Sequence, residues 1–208
     1  DNGIKFFGSD GFKLSDEIEL ELEKLVLGNN FNYKEIQNDK IGRLFNIDQG
    51  LGRYVEYLKG TFPKYLKLDG LRIGIDTANG ATYKVAPLVF QELGATIFTI
   101  GNTPNGININ DKIGALHTKE LRKLVIDNDL DLGVAFDGDG DRVIFIDRNG
   151  DEVNGDSIIG LLGKHLKEAG KLLNNTVVAT SMSNMGLDKA LNSIGVNVVK
   201  TKVGDRYV

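Results

Sequence analysis

Three aspartates alternate with glycines in the run Asp137-Gly138-Asp139-Gly140-Asp141, which lies between two apolar segments. In an extended segment, side chains at every second position point to the same side, and the glycines permit a tight curvature that brings the carboxyl oxygens together. Two carboxylates about 4 Å apart repel each other by roughly 4 kcal/mol at an effective dielectric of 20. A divalent cation offsets this repulsion, and a set of oxygen ligands favours a hard cation such as Mg²⁺. The aspartate run therefore predicts a Mg²⁺ site.

Other kinds of site contain similar aspartate runs. An EF-hand calcium loop needs Gly at its sixth position and Glu at its twelfth, where this chain has Arg142 and Arg148, so that interpretation fails. A phosphatase of the haloacid-dehalogenase type, with Asp137 as its nucleophile, stays open, although such enzymes usually carry Thr or Val where this chain has Asp141. A non-catalytic metal-binding module and a solvated acidic turn also stay open. A plain turn, however, needs neither a third aspartate nor the arginine that follows.

Composition restricts the classes of partner. The chain of 208 residues is long enough for one or two domains, with 41% hydrophobic and 26% charged residues and no apolar run long enough to cross a bilayer. Its net charge of -4 provides no general attraction to nucleic acid or to an anionic membrane surface. The absence of cysteine excludes disulfides, thiolate metal sites and thiol nucleophiles. We expect a cytoplasmic protein that binds neither nucleic acid nor membrane.

Apolar runs alternate with amphipathic segments along most of the chain, which predicts an α/β fold of layered sheets with helices on both faces. Strands are predicted at 71–76, 95–100, 131–136, 143–147, 176–180 and 196–201. Helices are predicted at 15–28, 79–93, 118–127, 156–169 and 184–194, with a short one around Tyr54 and Leu58. Asn79 is the predicted N-cap of the second of these helices, and Pro87 should kink or split it.

The aspartate run together with Arg142 resembles the metal-binding loop of the α-D-phosphohexomutase superfamily. The segment 76–81 resembles the strand-to-helix turn of that superfamily's second domain, and 2–5 resembles the segment that follows its phosphorylated serine. The segments 108–117 and 201–208 are similar to the bacterial members that act on glucosamine phosphate. The resemblance spans nearly the whole chain.

The resemblance implies a domain organisation. Members of the superfamily have four domains around a central cleft, so residues 1–47 would be the C-terminal part of domain 1, 48–152 domain 2 with the metal loop, and 153–208 the N-terminal part of domain 3. The abrupt ends of the chain are typical of a fragment. The phosphoserine loop would precede Asp1, and a sugar-recognition loop and a phosphate-binding domain would follow Val208. We therefore expect the remaining domains of the parent enzyme to be partners, and the fragment alone to be inactive.

The resemblance also implies roles for particular residues. Asp137, Asp139 and Asp141 would hold Mg²⁺ together with a phosphoserine oxygen. Arg142 would stabilise charge on the transferring phosphoryl group, or would only offset the acidity of the loop. Lys5 would support attack by a sugar hydroxyl, or would only block pairing at a sheet edge.

The same resemblance implies a substrate and a reaction. Lys202 and Arg206 would contact the substrate, a hexose or hexosamine phosphate. The implied reaction interconverts a hexosamine 6-phosphate and 1-phosphate through a bisphosphorylated intermediate. A mutase of glucose or mannose phosphates from the same superfamily is the alternative.

Overall fold

The structure is a computed structural model that describes residues 6–28, 41–204 and 207–208. The chain divides into two compact units, Asp1–Gly50 and Leu51–Val208. In chain order the elements are α1 (Asp16–Leu27), α2 (Gly50–Thr61), β1 (Arg72–Asp76), α3 (Val85–Glu92), β2 (Thr96–Ile100), α4 (Lys119–Asp127), β3 (Leu132–Phe136), β4 (Val143–Asp147), β5 (Glu152–Val153), α5 (Gly155–Glu168), β6 (Thr176–Thr180), α6 (Met185–Ser193) and β7 (Asn197–Thr201).

Helix α1 lies in the first unit and begins and ends where the sequence predicts. Ser15 is its N-cap, and three acidic residues in the first turn interact favourably with the helix dipole. At the other end the N–H of Gly28 donates to the carbonyl of Lys24. No residue of α1 is buried, so its apolar side chains contribute little to a core.

The second unit contains a five-stranded sheet in the order β2-β1-β3-β4-β5. Strands β2, β1 and β3 are parallel, whereas β4 runs antiparallel to β3 and β5 antiparallel to β4. The carboxyl ends of the three parallel strands therefore meet at one edge of the sheet, where open α/β sheets bind their ligands.

Helices cover both faces of this sheet, as the sequence predicts. On one face Ala86 of α3 packs with Ile73, Ile75 and Val134. On the other face Leu121 and Val125 of α4 pack with Ala135 and Ile146. Because successive side chains of a strand point to opposite faces, one set of short strands supplies both cores.

A separate two-stranded sheet pairs β6 with β7 in parallel. Helices α5 and α6 contact each other, and a small core joins Ala179, Leu187, Leu191 and Val196. Asn154 and Asn184 cap the two helices with their side-chain oxygens. The predicted elements of this region are confirmed.

The predicted helix at 79–93 is shorter in the structure. Ala78 and Asn79 have φ of 53° and 51°, so the chain turns after β1 and α3 begins only at Val85. Asn79 is therefore not an N-cap, and that prediction is wrong. Pro87 lies in the first turn of α3, where backbone N–H groups have no intrahelical partner, so it neither kinks nor divides the helix.

Candidate metal centre

The aspartate run begins directly after β3, at the edge where the parallel strands end. Asp137 is only 2% exposed, whereas Asp139 and Asp141 are exposed. One carboxyl oxygen from each of the three lies within 4.8 Å of the others. The fold thus brings three acidic groups to one place, with Asp137 at its buried side.

The run is bent rather than extended. Gly140 has φ of 79°, and its N–H donates to the carbonyl of Asp137 at 3.2 Å. Because only glycine adopts such a φ without strain, a turn at Gly140 brings the flanking aspartates together. The curvature predicted at the glycines is present at Gly140, and it, rather than the pleat of a strand, accounts for the convergence.

Asp137 accepts several hydrogen bonds within its own loop. Its Oδ1 accepts from the N–H groups of Gly140 and Arg142 at 3.1 and 3.0 Å, and its Oδ2 accepts from Nε of Arg142 at 2.9 Å. Burial raises the pKa of Asp137, but the hydrogen bonds from Arg142, a side-chain hydrogen bond with Asp139 and the charge of Arg142 together outweigh it and hold the pKa below its ordinary value. The carboxyl group is accordingly ionised at neutral pH.

Arg142 both offsets the acidity of the loop and faces solvent. The hydrogen bond to Asp137 raises the pKa of Arg142, and 62% of its side chain is exposed. Because Nε is the nitrogen that donates to Asp137, this hydrogen bond leaves the two terminal nitrogens for other acceptors. A planar guanidinium held in this way can present N–H donors to a phosphate.

The donor set fits Mg²⁺. Ligand oxygens at the Mg²⁺ distance of about 2.1 Å lie roughly 3.0 Å from one another in adjacent octahedral positions, so oxygens that lie within 4.8 Å of one another need to close by at most about 1.8 Å. Oδ2 of Asp137 accepts from Nε of Arg142, and a carboxylate oxygen has enough lone pairs to accept a hydrogen bond and bind an ion. Asp137, Asp139 and Asp141 would hold the cation.

Two neighbouring loops hold the backbone on either side of Asp137. In the loop after β1, the N–H of Ala81 donates to the carbonyl of Gly138 at 2.8 Å. In the loop after β2, the N–H of Ala115 donates to the carbonyl of Phe136 at 2.9 Å. The position of Asp137 therefore depends on all three loops at this edge.

Sequence reasoning assigned no role to Asp76, although it lies at this site. Its side chain is fully buried at the end of β1, and its two oxygens accept from the N–H groups of Ala78 and Gly114 at 2.8 and 2.7 Å. Burial raises the pKa of Asp76, and the two hydrogen bonds oppose this rise only in part. The feature of the sequence that could have indicated Asp76 is its position at the end of an apolar run, a position that resembles that of Asp137.

Of the other predicted site residues, only Lys202 lies among the described residues. Lys202 is exposed and follows β7, and no hydrogen bond or ion pair joins it to the run within 6–28, 41–204 and 207–208. Lys5 and Arg206 lie outside the described residues.

Among the helices that the structure describes, none is long and apolar enough to span a membrane.

Profiles of known protein families match most of the chain. Residues 52–150 match the phosphoglucomutase/phosphomannomutase α/β/α domain II, and residues 154–208 match domain III of the same family. The aspartate run falls within the first of these matches.

Curated relatives align with the whole chain. A phosphoglucosamine mutase of Bdellovibrio bacteriovorus is 53% identical over 208 residues, which are 100% of this chain and 46% of the relative. A phosphoglucosamine mutase of Syntrophotalea carbinolica is also 53% identical, with the same coverage. The chain thus spans about half the length of the curated relatives it matches.

Solved structures share the fold. A putative phosphomannomutase from Thermus thermophilus superposes with a TM-score of 0.71 at 20% identity, covering 93% of this chain and 44% of that one. An N-acetylglucosamine-phosphate mutase, described as a member of the α-D-phosphohexomutase superfamily, gives a TM-score of 0.52 at 17% identity, covering 76% and 32%. At these identities the likeness is one of fold.

Proposed function

The chain belongs to the phosphoglucomutase/phosphomannomutase family of the α-D-phosphohexomutase superfamily, and on that premise we propose that it is the Mg²⁺-binding part of a phosphoglucosamine mutase. The parent enzyme would interconvert glucosamine 6-phosphate and glucosamine 1-phosphate in the cytoplasm, through a phosphoserine and a bisphosphorylated sugar. The choice of sugar is supported by relatives of that name at 53% identity over the whole chain.

The observation that carries the proposal is the convergence of Asp137, Asp139 and Asp141 beside Arg142. A bound Mg²⁺ would neutralise charge on the phosphoryl group during transfer. Asp137, ionised and buried, anchors the centre, and its Oδ2 orients the guanidinium through Nε. The terminal nitrogens of Arg142 then bind phosphoryl oxygens, where each charge-assisted hydrogen bond is worth about 1.5–3 kcal/mol.

The remaining roles rest on the family pattern. Lys5 supports attack by the sugar hydroxyl, and Lys202 and Arg206 contact the sugar phosphate from the third domain. The phosphoserine is supplied by a part of the parent polypeptide outside these residues. We propose that residues 1–208 alone bind Mg²⁺ without turnover, consistent with their covering 46% of the relatives.

Replacing one exposed ligand tests the metal site. Asp139 is exposed, so Asp139→Asn removes one negatively charged ligand without changing a buried contact. We expect the Mg²⁺ affinity, measured by isothermal titration calorimetry, to fall at least about tenfold. Asp127→Asn, an exposed aspartate of α4, is the matched control and should leave the affinity unchanged. Equal Mg²⁺ affinity in wild type and Asp139→Asn would contradict the metal site.

Turnover by the parent enzyme tests the reaction. Glucosamine 6-phosphate should be converted faster than glucose or mannose 6-phosphate, and Asp139→Asn should reduce kcat for each of them. Release of inorganic phosphate instead of a 1-phosphate, with aspartyl-phosphate formed on Asp137, would favour the phosphatase alternative. A clear preference for glucose or mannose phosphate would contradict the proposed substrate and agree with the family.

A further inference from the structure

The side chain of Asp76 joins two loops that are far apart in the sequence. Oδ1 accepts from the N–H of Ala78, in the loop that follows β1, and Oδ2 accepts from the N–H of Gly114, in the loop that follows β2. The side chain is fully buried, so water does not compete for these hydrogen bonds. Both oxygens of a carboxyl group can accept hydrogen bonds, so this one side chain can hold both N–H groups.

The two loops that Asp76 joins are the loops that hold the aspartate run. Ala81 lies in the first loop and donates to the carbonyl of Gly138, and Ala115 lies in the second and donates to the carbonyl of Phe136. Gly138 and Phe136 are the two neighbours of Asp137 in the chain. Each loop therefore holds the backbone on one side of the buried aspartate.

Close backbone contacts show that these loops have little room to shift. A Cβ placed on Gly80 would lie 2.1 Å from the carbonyl oxygen of Gly138. A Cβ placed on Gly114, which has φ of 85°, would lie 2.7 Å from the carbonyl oxygen of Phe136. The backbones of these loops therefore lie too close to the aspartate run for a side chain between them, and a displacement of either loop toward the run would press on the backbone next to Asp137.

We propose that Asp76 is a positioning residue for the candidate metal centre, which holds both neighbouring loops and so keeps the three carboxyl groups converged before a cation binds. The inference rests on the proposed function, because it concerns the same Mg²⁺ site. Converged carboxylates repel one another, and the clamped backbone resists their separation. Groups that orient metal ligands from behind typically change metal affinity 10- to 100-fold when they are removed.

Asp76→Asn tests this role. The amide has nearly the same volume but a single acceptor oxygen, so its NH₂ group must face the N–H of Ala78 or Gly114 and one of the two loops is released. We expect the dissociation constant for Mg²⁺ alone, measured by calorimetry well below the unfolding temperature, to rise about 10- to 100-fold.

Asp131→Asn is the matched control. Asp131 accepts the N–H of Arg72 at 2.9 Å, at the opposite edge of the same sheet. Its replacement also removes a charge that accepts a backbone hydrogen bond, but it should leave Mg²⁺ affinity within about twofold of wild type, because its loop does not touch the aspartate run.

The outcomes separate this inference from the proposed function. An affinity for Mg²⁺ that is unchanged in Asp76→Asn, in a chain where Asp139→Asn abolishes binding, would overturn the role of Asp76 and leave the metal site standing. A wild-type chain that binds no Mg²⁺ would overturn both. A loss of thermal stability in Asp76→Asn with unchanged Mg²⁺ affinity would show a purely structural role and would also overturn the inference.

A measurement on the wild type decides the case even if Asp76→Asn does not fold. Thermodynamic linkage is reciprocal. If the hydrogen bonds to Asp76 increase the affinity for Mg²⁺, bound Mg²⁺ must stabilise those hydrogen bonds to the same extent. Saturating Mg²⁺ should therefore slow hydrogen exchange at the amides of Ala78 and Gly114, which donate to Asp76, by about tenfold or more, while the amide of Asp151, in the turn at the far edge, stays unchanged. Unchanged exchange at Ala78 and Gly114 in Mg²⁺-saturated protein would overturn the proposal.

Discussion

Asp76 and Asp137 occupy equivalent places, since each carboxyl group is buried at or just beyond the carboxyl end of one of two neighbouring parallel strands. Their pKa values nevertheless move in opposite directions. Burial raises the pKa of both, but Arg142 donates to Asp137 from its backbone and its guanidinium, whereas Asp76 receives only two backbone N–H groups. A cationic partner thus decides the direction in which the pKa of a buried carboxyl group shifts.

The raised pKa of Asp76 predicts a particular pH dependence of stability. Its carboxyl group should titrate in NMR above its ordinary value of 3.8. Between 3.8 and the raised pKa the folded chain binds more protons than the unfolded chain, so the stability contributed by Asp76 is full below 3.8 and decreases as the pH rises through that window. Across this range, the free energy of unfolding of wild type measured relative to that of Asp76→Asn should decrease as the pH rises, because the contributions of the other carboxyl groups cancel in the comparison; parallel curves would contradict this.

The close approach of Gly80 to Gly138 predicts a large effect of one added methyl group. Gly80→Ala places Cβ 2.1 Å from a carbonyl oxygen, so we expect about 2 kcal/mol or more of lost stability in chemical denaturation, together with weaker Mg²⁺ binding. Gly60→Ala is the control, since no atom lies within 4 Å of its Cβ and Gly60 lies within α2. That variant should be more stable by roughly 0.5–1 kcal/mol.

At the scale of elements, α5 and α6 each begin after an asparagine that caps the helix. Asn154 and Asn184 each precede a helix, and their side-chain oxygens accept from backbone N–H groups of the first turn. Helix α3 has no such cap. Its beginning is determined instead by the loop after β1, where Asn79 donates its backbone N–H to Gly101 and accepts the N–H of Thr103 with its side chain.

The cap of α6 predicts a measurable loss of stability. Asn184 Oδ1 accepts from the N–H groups of Gly186 and Leu187 at 2.7 and 3.2 Å, and replacing it with Ala should lower the free energy of unfolding by about 1 kcal/mol. Asn192→Ala, at an exposed position near the end of the same helix, should be neutral or slightly stabilising because Ala has the higher helix propensity. Equal effects of the two substitutions would show that the cap contributes nothing.

At the scale of the whole molecule, the two compact units differ in how well they are packed. Within the described part of the first unit, α1 has no buried residue. In the second unit, β1 and β3 are largely buried between helices on both faces. Local stability should follow this difference, because regions with few buried apolar contacts open at low free energy.

Hydrogen exchange of this chain should reveal the difference directly. Amides of α1 should exchange with small protection factors, whereas those of β1 and β3 should approach the protection set by global unfolding. Addition of Mg²⁺ should leave α1 unchanged and serves as an internal control. Protection in α1 equal to that in β1 would contradict the packing argument.

Much of this fold follows from local sequence alone. The alternation of apolar runs and amphipathic segments predicts every strand of the two sheets except the two-residue β5, since period-two and period-3.6 patterns are properties of short segments. The aspartate run, the arginine after it and the resemblance to phosphohexomutases likewise depend only on neighbouring residues. These features predicted the family and the candidate ligands before any contact was known.

Tertiary structure decided the features that join distant segments. The bond from Gly114 to Asp76 spans 38 positions, and it exists only because the register of β1, β2 and β3 brings the loops after them to one edge. The late start of α3 has the same origin, because Asn79 and Ala81 pair with the loops after β2 and β3 rather than with their own helix. Such partners are set by strand order, which no short segment encodes.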